Sequence, residues 1–430
     1  RHGGIGRLAA RLAAQPMTAT APAGRTDSQA LPLAGLHVVE FSDMVMGPTC
    51  GLILADLGAQ VTKVEPLAGD NTRRLQGSGA GFFAAFNRNK RSLAVNVHDP
   101  RGLEVVLVSR CDVFSENFKA QTLSRLGLDY PSLAALNPGL IYVSHKGFLP
   151  GPYEHRTALD EVVQMMGGLA YMTGPSGRPL RAGSSINDIM GGMFGAIGAL
   201  AALAQRQYTG RGQQVQSALF ENNVLLMAQH MMQLAVTGRA ADPMPERISA
   251  WGIYDVFTVA DESQIFLAVV SDTQWEALCE DMGWSDWRED PRLRSNNDRV
   301  QARSWWLPVV RERLRPFTAA ELAQRFERKG LPYAPIARPQ DLLQDPHLQA
   351  SGGLVEMDVP ADASCAGHDM RVRVPLLPLT LDGQRLGVRS APPAQGEHTR
   401  EVLSDLGYAA HEIHTLLDSG VVGQPATHAP

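Results

Sequence analysis

Within about thirty positions, residues 36–66 run through an apolar strand, a helix and a second apolar strand, and no other feature constrains the fold as tightly. LHVVEFSD (36–43) reads as the first strand and QVTKVEP (60–66) as the second. Between them, GPTCGLILADLGA (47–59) reads as a helix. Pro48 fits its first turn, where a missing N–H costs nothing, and Gly58 fits its C-terminal end. A helical connection of this length joins parallel strands, so the unit is βαβ. The rhythm continues through SLAVNV (92–97), a helix over 99–110, CDVFSEN (111–117), two short helices and LIYVSHKGF (140–148). This part of the chain is expected to be a Rossmann-like α/β domain around a parallel sheet.

Helices are predicted at 158–170 and 188–207, a strand at QVQSALF (214–220) and a helix at 221–236. The polar segment GRAADPMPER (238–247), with two prolines, then marks a boundary. IYDVFTVADESQIFLAVV (253–270) reads as a hairpin turning at Ala260-Asp261-Glu262, followed by amphipathic helices near 273–283, 300–315 and 318–329. The expected organisation is a large domain over 30–237, a smaller α+β domain over 245–345, and a return to the large domain over 346–422. That return has strands at 353–382 and helices near 398–407 and 409–419. Residues 1–29, rich in Ala and Arg with no acid before Asp27, read as a disordered or non-native tail, or alternatively as a mitochondrial presequence. Residues 423–430 read as a C-terminal tail.

The 430 residues carry a net charge of −5, which argues against a nucleic-acid or polybasic membrane partner. GGMFGAIGALAALA (191–204) falls short of the ~20 apolar residues that span a bilayer and ends at Gln205 and Arg206, so it reads as a core helix. Cys50, Cys111, Cys279 and Cys365 are far apart, which suits a reducing compartment: the cytoplasm, or the mitochondrial matrix if the N-terminus is a presequence. There is no G-x-G-x-x-G after the first strand, no P-loop and no G-x-S-x-G elbow. His411 and His414 sit on a polar terminal helix and read as solvated rather than metal-binding. Arg73, Arg74, Arg88, Lys90 and Arg91 form either a solvated basic face or a patch for the phosphates of an anionic ligand.

RAGSSINDIMGGMFGAIGALAALAQRQ (181–207) is the most informative stretch. Asn187-Asp188 stands where a Gly/Ala-rich helix begins. Asp188 there is a good N-cap, but the same position, through the helix dipole, also favours an ionised carboxylate able to act as a covalent nucleophile. Gly191, Gly192 and Gly195 would let a ligand or a second backbone come close.

The order of motifs resembles the class III CoA-transferases, the family of formyl-CoA:oxalate and carnitine CoA-transferases and of 2-methylacyl-CoA racemases. The resemblance rests on GPTCGLILADLGAQVTKVEP (47–66), GDNTR (69–73), NRNKRSLAVNVHDPRG (87–102), DVFSENFKAQTLSRLGL (112–128), NPGLIYVSHKGF (137–148), ALDEVVQMMGGLAYMTG (158–174), NDIMGGMFGAIGALAAL (187–203), TGRGQQVQSALFE (209–221) and GEHTREVL (396–403). It implies an interlocked homodimer, with each active site formed between the large domain of one subunit and the small domain of the other. It also places the family's nucleophilic aspartate on Asp188, with an aspartyl anhydride and then an aspartyl-CoA thioester as intermediates. CoA contacts are implied at Met44, Val45, Met46, Asn117, Phe118, Arg125 and Leu126, and Arg91 joins them as a phosphate candidate. CoA enters as a thioester substrate; no metal and no permanently bound cofactor are implied, and the charge on the anhydride is expected to be met by backbone donors at the helix start.

This chain has Val45 where formyl-CoA transferase-like members have glutamine and Pro66 where they have arginine. ERISAWGIYDVF (246–257) replaces their run of glycines, which makes oxalate and formate poor candidates. Leu159-Asp160 replaces the racemases' His-Asp pair, removing one of the two acid/base groups that α-proton exchange needs. His155, Arg156 and Asp160 are the candidate substrate-binding residues, Arg156 by bidentate pairing with a carboxylate. The expectation is transfer of CoA to a small dicarboxylic acid such as succinate, mesaconate, itaconate or citramalate. The alternatives are intramolecular transfer within a dicarboxyl-CoA, racemisation, and a CoA-thioester-binding protein without activity.

Overall fold

The computed structural model describes residues 31–108, 111–247 and 249–425. The expectations for the tail at 1–29 and for residues 426–430 lie outside the described residues. The chain divides into two compact units, one of residues 1–240 and 349–430, the other of residues 241–348.

In the first unit the elements run β1 (His37–Phe41), α1 (Met46–Asp56), β2 (Gln60–Glu65), α2 (Phe82–Phe86), β3 (Lys90–Val95), α3 (Pro100–Val108), β4 (Val113–Glu116), α4 (Ala120–Leu126), α5 (Tyr130–Leu136) and β5 (Ile141–Lys146). They continue through α6 (Asp160–Met166), α7 (Leu169–Thr173), α8 (Ile186–Thr209), β6 (Gln213–Ala218) and α9 (Leu219–Thr237). The six strands lie in the order β3-β2-β1-β4-β5-β6, all parallel. This is the doubly wound Rossmann arrangement.

Both sheet faces are covered, which is why the strands read as near-continuous apolar runs rather than as alternations. Val38, Val61, Val113, Ile141 and Val143 pack on one face against Cys50, Leu54 and Ala55 of α1 and Ala196, Ala199 and Ala202 of α8. Val39, Val64, Leu93, Phe114 and Tyr142 pack on the other face against Leu123 of α4, Leu133 of α5 and the C-terminal residues Val402, Leu403, Ile413 and Leu416.

The second unit holds β7 (Ile253–Thr258), β8 (Gln264–Val269), α10 (Asp272–Met282), α11 (Ser285–Arg288), α12 (Asn296–Leu314), α13 (Ala319–Arg328) and β9 (Tyr333–Pro335). Its three strands are antiparallel in the order β7-β8-β9. Trp275, Trp287 and Trp306 form its centre, with ring centroids 5.4 to 6.4 Å apart. Capping boxes at Ser295/Asp298 and Thr318/Glu321 set where α12 and α13 begin, so α12 starts four residues before the predicted position 300.

After α14 (Pro346–Ala350) come β10 (Leu354–Val359), β11 (Met370–Pro375), the two-residue strands β12 (Thr380–Leu381) and β13 (Gln384–Arg385), α15 (Thr399–Asp405), α16 (Ala410–Asp418) and β14 (Val422–Gly423). The sequence gives no signal for β14. It pairs antiparallel with β3 and so covers that edge of the large sheet.

Two other expectations are corrected. The single helix predicted over 158–170 is two helices, broken where Gly168 takes φ +89°, a left-handed conformation that glycine adopts without strain. The apolar helix is longer than its apolar run: α8 spans 24 residues, long and apolar enough by length and composition to cross a membrane. Its alanine face, however, packs on the sheet of this domain.

Candidate active site

Strand order fixes where a ligand can enter. β1 lies between β2 and β4; the chain leaves β1 toward β2 and leaves β4 toward β5. The loops after β1 and β4 therefore diverge and open a crevice at the carboxyl ends of these strands. The two loops are tied together at its base. Asp43 N–H donates to Asn117 Oδ1 at 3.1 Å, and Asn117 Nδ2 donates to Asp43 O at 2.8 Å. Met44 sits there at φ +62° with 42% of its surface exposed, an unusual conformation for a residue with a side chain. Val45 and Met46 are buried, and the Phe118 ring lies 4.7 Å from that of Phe41. The structure thus brings together Met44, Val45, Met46, Asn117 and Phe118. Arg125 and Leu126 stand at the far end of α4; Leu126 packs against the core, while Arg125 is exposed and donates to Gln121 O at 3.3 Å. Lys146, at the end of β5, was missed in the sequence; it reaches the same loop, 3.1 Å from Glu116 Oε1 and 3.4 Å from Phe118 O.

α8 meets this crevice from one side. Positions 188, 191, 192 and 195 share one helix face. A Cβ on Gly192 would lie 2.6 Å from Met46 O and 2.5 Å from Thr49 Cβ, and one on Gly191 would collide with the Met46 side chain. A Cβ on Gly195 would lie 2.5 Å from His145 Cε1. Of the two readings of these glycines, the structure shows close approach of a second backbone, that of α1. Asp188 lies one turn earlier on the same helix face.

Asp188 is not the N-cap. α8 begins at Ile186, and Ser185 occupies the cap position without a side-chain hydrogen bond. The cap comes from elsewhere in the chain. Asp160, buried in the first turn of α6, accepts the N–H of Asn187 at 2.7 Å and of Asp188 at 3.1 Å through Oδ2. Its Oδ1 accepts the amide of Gln164, and Gln164 Oε1 accepts the N–H of Ala182 at 2.8 Å. Asp160, expected as a substrate contact, holds the start of α8. The expectation that free backbone donors at this helix start meet the anhydride's charge is also corrected: the N–H groups of Asn187 and Asp188 are taken by Asp160, and Ile189 N–H bonds Ser185 O at 3.0 Å.

The electrostatics differ from the sequence expectation as well. Burial, and then the like charge of Asp160, push the Asp188 carboxyl up to about 7, against a pull downward from Arg181. The helix dipole does not win, because desolvating a carboxylate costs more than a helix terminus returns. Carboxyls shifted to titrate near neutrality cluster at functional sites.

The remaining sequence candidates lie elsewhere. His155 and Arg156 are exposed on a loop, with the Arg156 guanidinium stacked 4.1 Å over the Tyr153 ring. Arg91 is not brought to the crevice: its guanidinium sits on Glu401 at 3.1 Å and Asp405 at 2.7 Å. The basic cluster is not a phosphate patch. Arg73 is buried against Glu65 at 2.7 Å, Arg88 against Asp56 at 2.6 Å and Lys90 against Glu40 at 2.7 Å. Arg74 donates to Ala68 O at 2.7 Å. His414 pairs with Asp418 at 3.2 Å, and no group of three or more His, Cys, Asp or Glu among the described residues is placed to hold a metal. Besides Lys146, the sequence reading passed over Gln164 and Arg181. Gln164, four residues after Asp160 on one helix face, could have been found by its spacing.

Comparison with known proteins gives the family of the chain. The family described as CoA-transferase family III matches residues 33–399. An acyl-CoA transferase of Fusarium pseudograminearum is 34% identical over 91% of this chain and 88% of its own length. Succinyl-CoA:glutarate CoA-transferase of Mus musculus is 31% identical over 92% of this chain and 91% of its own length. The crystal structure of a CAIB/BAIF family protein from Brucella suis superposes with a TM-score of 0.77 at 32% identity, covering 88% of this chain and 100% of that one. The chain therefore belongs to CoA-transferase family III and is an enzyme of that class, acting on CoA thioesters.

Proposed function

We propose that the enzyme moves CoA from a short acyl-CoA, with succinyl-CoA as a fitting donor, to a small dicarboxylate, and that Asp188 carries the covalent intermediates. The observation that supports this reading is the Asp188 carboxyl: it is desolvated and raised to about 7, and its backbone is fixed by Asp160 in the first turn of α8, whose glycine face packs on α1 beside Met46. The dicarboxylate reading draws on the relative named for succinyl-CoA and glutarate.

The carboxylate attacks the donor thioester carbonyl; the C–S bond breaks, leaving a mixed anhydride and CoA thiolate. The thiolate attacks the aspartyl carbonyl, releasing the donor acid and leaving an aspartyl-CoA thioester. The acceptor carboxylate attacks that carbonyl and expels the thiolate again. The thiolate finally attacks the acceptor's acyl carbonyl, giving the new acyl-CoA and free Asp188. Each step exchanges one anionic nucleophile for another, so no proton or metal is consumed, but the thiolate and anhydride must be kept from water.

Asp160 serves this scheme by positioning. It fixes the backbone of residues 187–188, and its charge raises the energy of the Asp188 carboxylate before it attacks. We also propose a homodimer. Large apolar side chains are exposed from Leu159 through α9, among them Leu159, Met165, Tyr171, Ile197, Met231 and Val236, and contiguous exposed apolar surface marks protein–protein contact sites. The compartment we propose is cytoplasmic.

The test is a half-reaction. With labelled succinate, unlabelled succinyl-CoA and no second acid, label enters succinyl-CoA in the wild type and does not in Asp188→Asn. Exchange that survives Asp188→Asn refutes the covalent role.

A further inference from the structure

One cation lies beside the clamp that holds the nucleophile, and the scheme above does not use it. Arg181 is on the loop between α7 and α8, where its Nε donates to Ala182 O at 3.1 Å, and its segment is tied to the clamp in two ways, once by the guanidinium and once by the backbone. Nη1 is paired with the carboxylate of Glu161, the residue after Asp160. The N–H of Ala182, the residue after Arg181, donates to Gln164, whose amide donates to Asp160. Asp160 in turn lies 3.1 Å from the Asp188 nitrogen. Arg181 and Glu161 thus flank the two residues that fix Asp188.

The pair is also open. The side chains of Arg181 and Glu161 are 39% and 57% exposed, so their ion pair is of the weak, solvent-screened kind that an incoming anion can replace. The other arginines considered for carboxylate binding are engaged: Arg156 on the Tyr153 ring, Arg91 on two carboxylates, Arg73 and Arg88 in buried pairs. A guanidinium offers two parallel donors that match a carboxylate, which a lysine cannot.

We propose that Arg181 recognises the distal carboxylate of a dicarboxylate substrate whose other carboxylate reacts at Asp188, and that Glu161 holds the guanidinium in place until that carboxylate displaces it. This assignment rests on the CoA-transfer reading. It makes Arg181 the residue that separates dicarboxylic from monocarboxylic acids of equal length. It gives Glu161 the opposite sign: a competitor for the same guanidinium.

The test compares glutarate with pentanoate, both of five carbons, as acceptors for the full-length enzyme at one fixed succinyl-CoA concentration, read as the ratio of their kcat/KM values. Arg181→Gln is expected to lower the glutarate preference about ten- to hundred-fold, the worth of a charge-assisted hydrogen bond. Arg181→Lys, which keeps the charge and most of the bulk, is expected to fall between it and the wild type. Glu161→Gln is expected to raise the preference, chiefly through a lower KM for glutarate. A purely structural pair would move both variants the same way, and that result, or an unchanged ratio in Arg181→Gln, overturns the assignment while leaving CoA transfer standing. A wild type that forms neither glutaryl-CoA nor pentanoyl-CoA overturns the transfer reading itself and this assignment with it.

Discussion

Asp160 Oδ2 accepts the backbone N–H of Asp188 at 3.1 Å, so the group that fixes Asp188 in place also repels its charge. Both the positioning of Asp188 and the repulsion that raises its carboxyl come from one carboxylate, across 28 positions of sequence. Such a pair is expected where stability has been given up for reactivity.

Asp160→Asn separates the two effects. The amide oxygen can still accept the N–H groups of α8, but the negative charge is gone. The acid limb of the kcat/KM profile is expected to move to lower pH, because the second-largest cause of the raised Asp188 value is removed. Asp160→Ala removes the cap as well and is expected to cost about 0.5–2 kcal/mol of stability in urea titration. An acid limb that stays in place in Asp160→Asn would show that the two carboxyls are not coupled.

Asp188 itself sets a pH dependence. Its carboxyl, at about 7 against an ordinary 3.8, is ionised in only part of the molecules at neutrality. Activity is therefore expected to fall about tenfold per pH unit below that value. Stability runs the other way. The folded state holds the proton more tightly than the unfolded state, so this contribution is fully present below about 3.8 and is lost as pH rises through about 7. Asp188→Asn does not ionise and is expected to melt higher than the wild type at pH 8, with the difference vanishing toward pH 4. Equal melting temperatures at pH 8 would contradict the raised value.

The glycine face of α8 offers a packing test. Gly192→Ala places a methyl group 2.6 Å from a backbone oxygen, that of Met46, which cannot rotate away. Gly195→Ala meets the ring of His145, whose basicity burial depresses to about 3 and whose Nε2 lies 3.0 Å from Ser115 Oγ. Each is expected to cost about 1–3 kcal/mol in denaturant unfolding, with loss of kcat as α8 is pushed off α1 in Gly192→Ala and off β5 in Gly195→Ala. A neutral Gly192→Ala would mean the two helices are less closely apposed than described.

The apolar surface of α9 tests the proposed dimer. Light scattering is expected to give twice the 46.5 kDa chain mass for the wild type. Met231→Asp with Val236→Asp is expected to shift the mass toward the monomer and to lower solubility less than exposure of that face would otherwise do. A monomeric wild type would contradict the dimer.

The legible and illegible parts of this protein divide by range. Strands β1 to β5 were readable because parallel strands buried on both faces are continuous apolar runs, and α1 because Pro48 and Gly58 punctuate it. Asp188 was readable as a candidate from its place at a helix start and from its motif; that place suggested a cap and a depressed pKa. The true cap, Asp160, lies in another helix, and neither spacing nor propensity points to it. The basic cluster misled for the same reason. Arg91 finds Glu401 and Asp405 more than three hundred residues away, and Lys90 on β3 is neutralised by Glu40 on β1, two strands across the sheet, a partner visible only once the strand order is known; Arg73 pairs with Glu65 at the end of β2, eight residues before it. Arg181 carried no signal at all until its loop was seen to fold back on α6.

The central claim is that the Asp188 carboxyl becomes acylated. Enzyme mixed with succinyl-CoA, quenched with hydroxylamine and digested should yield the peptide containing Asp188 as its hydroxamate, identified by mass spectrometry, and Asp188→Asn should yield none. A hydroxamate on any other residue, or full turnover with no modified peptide, would contradict it.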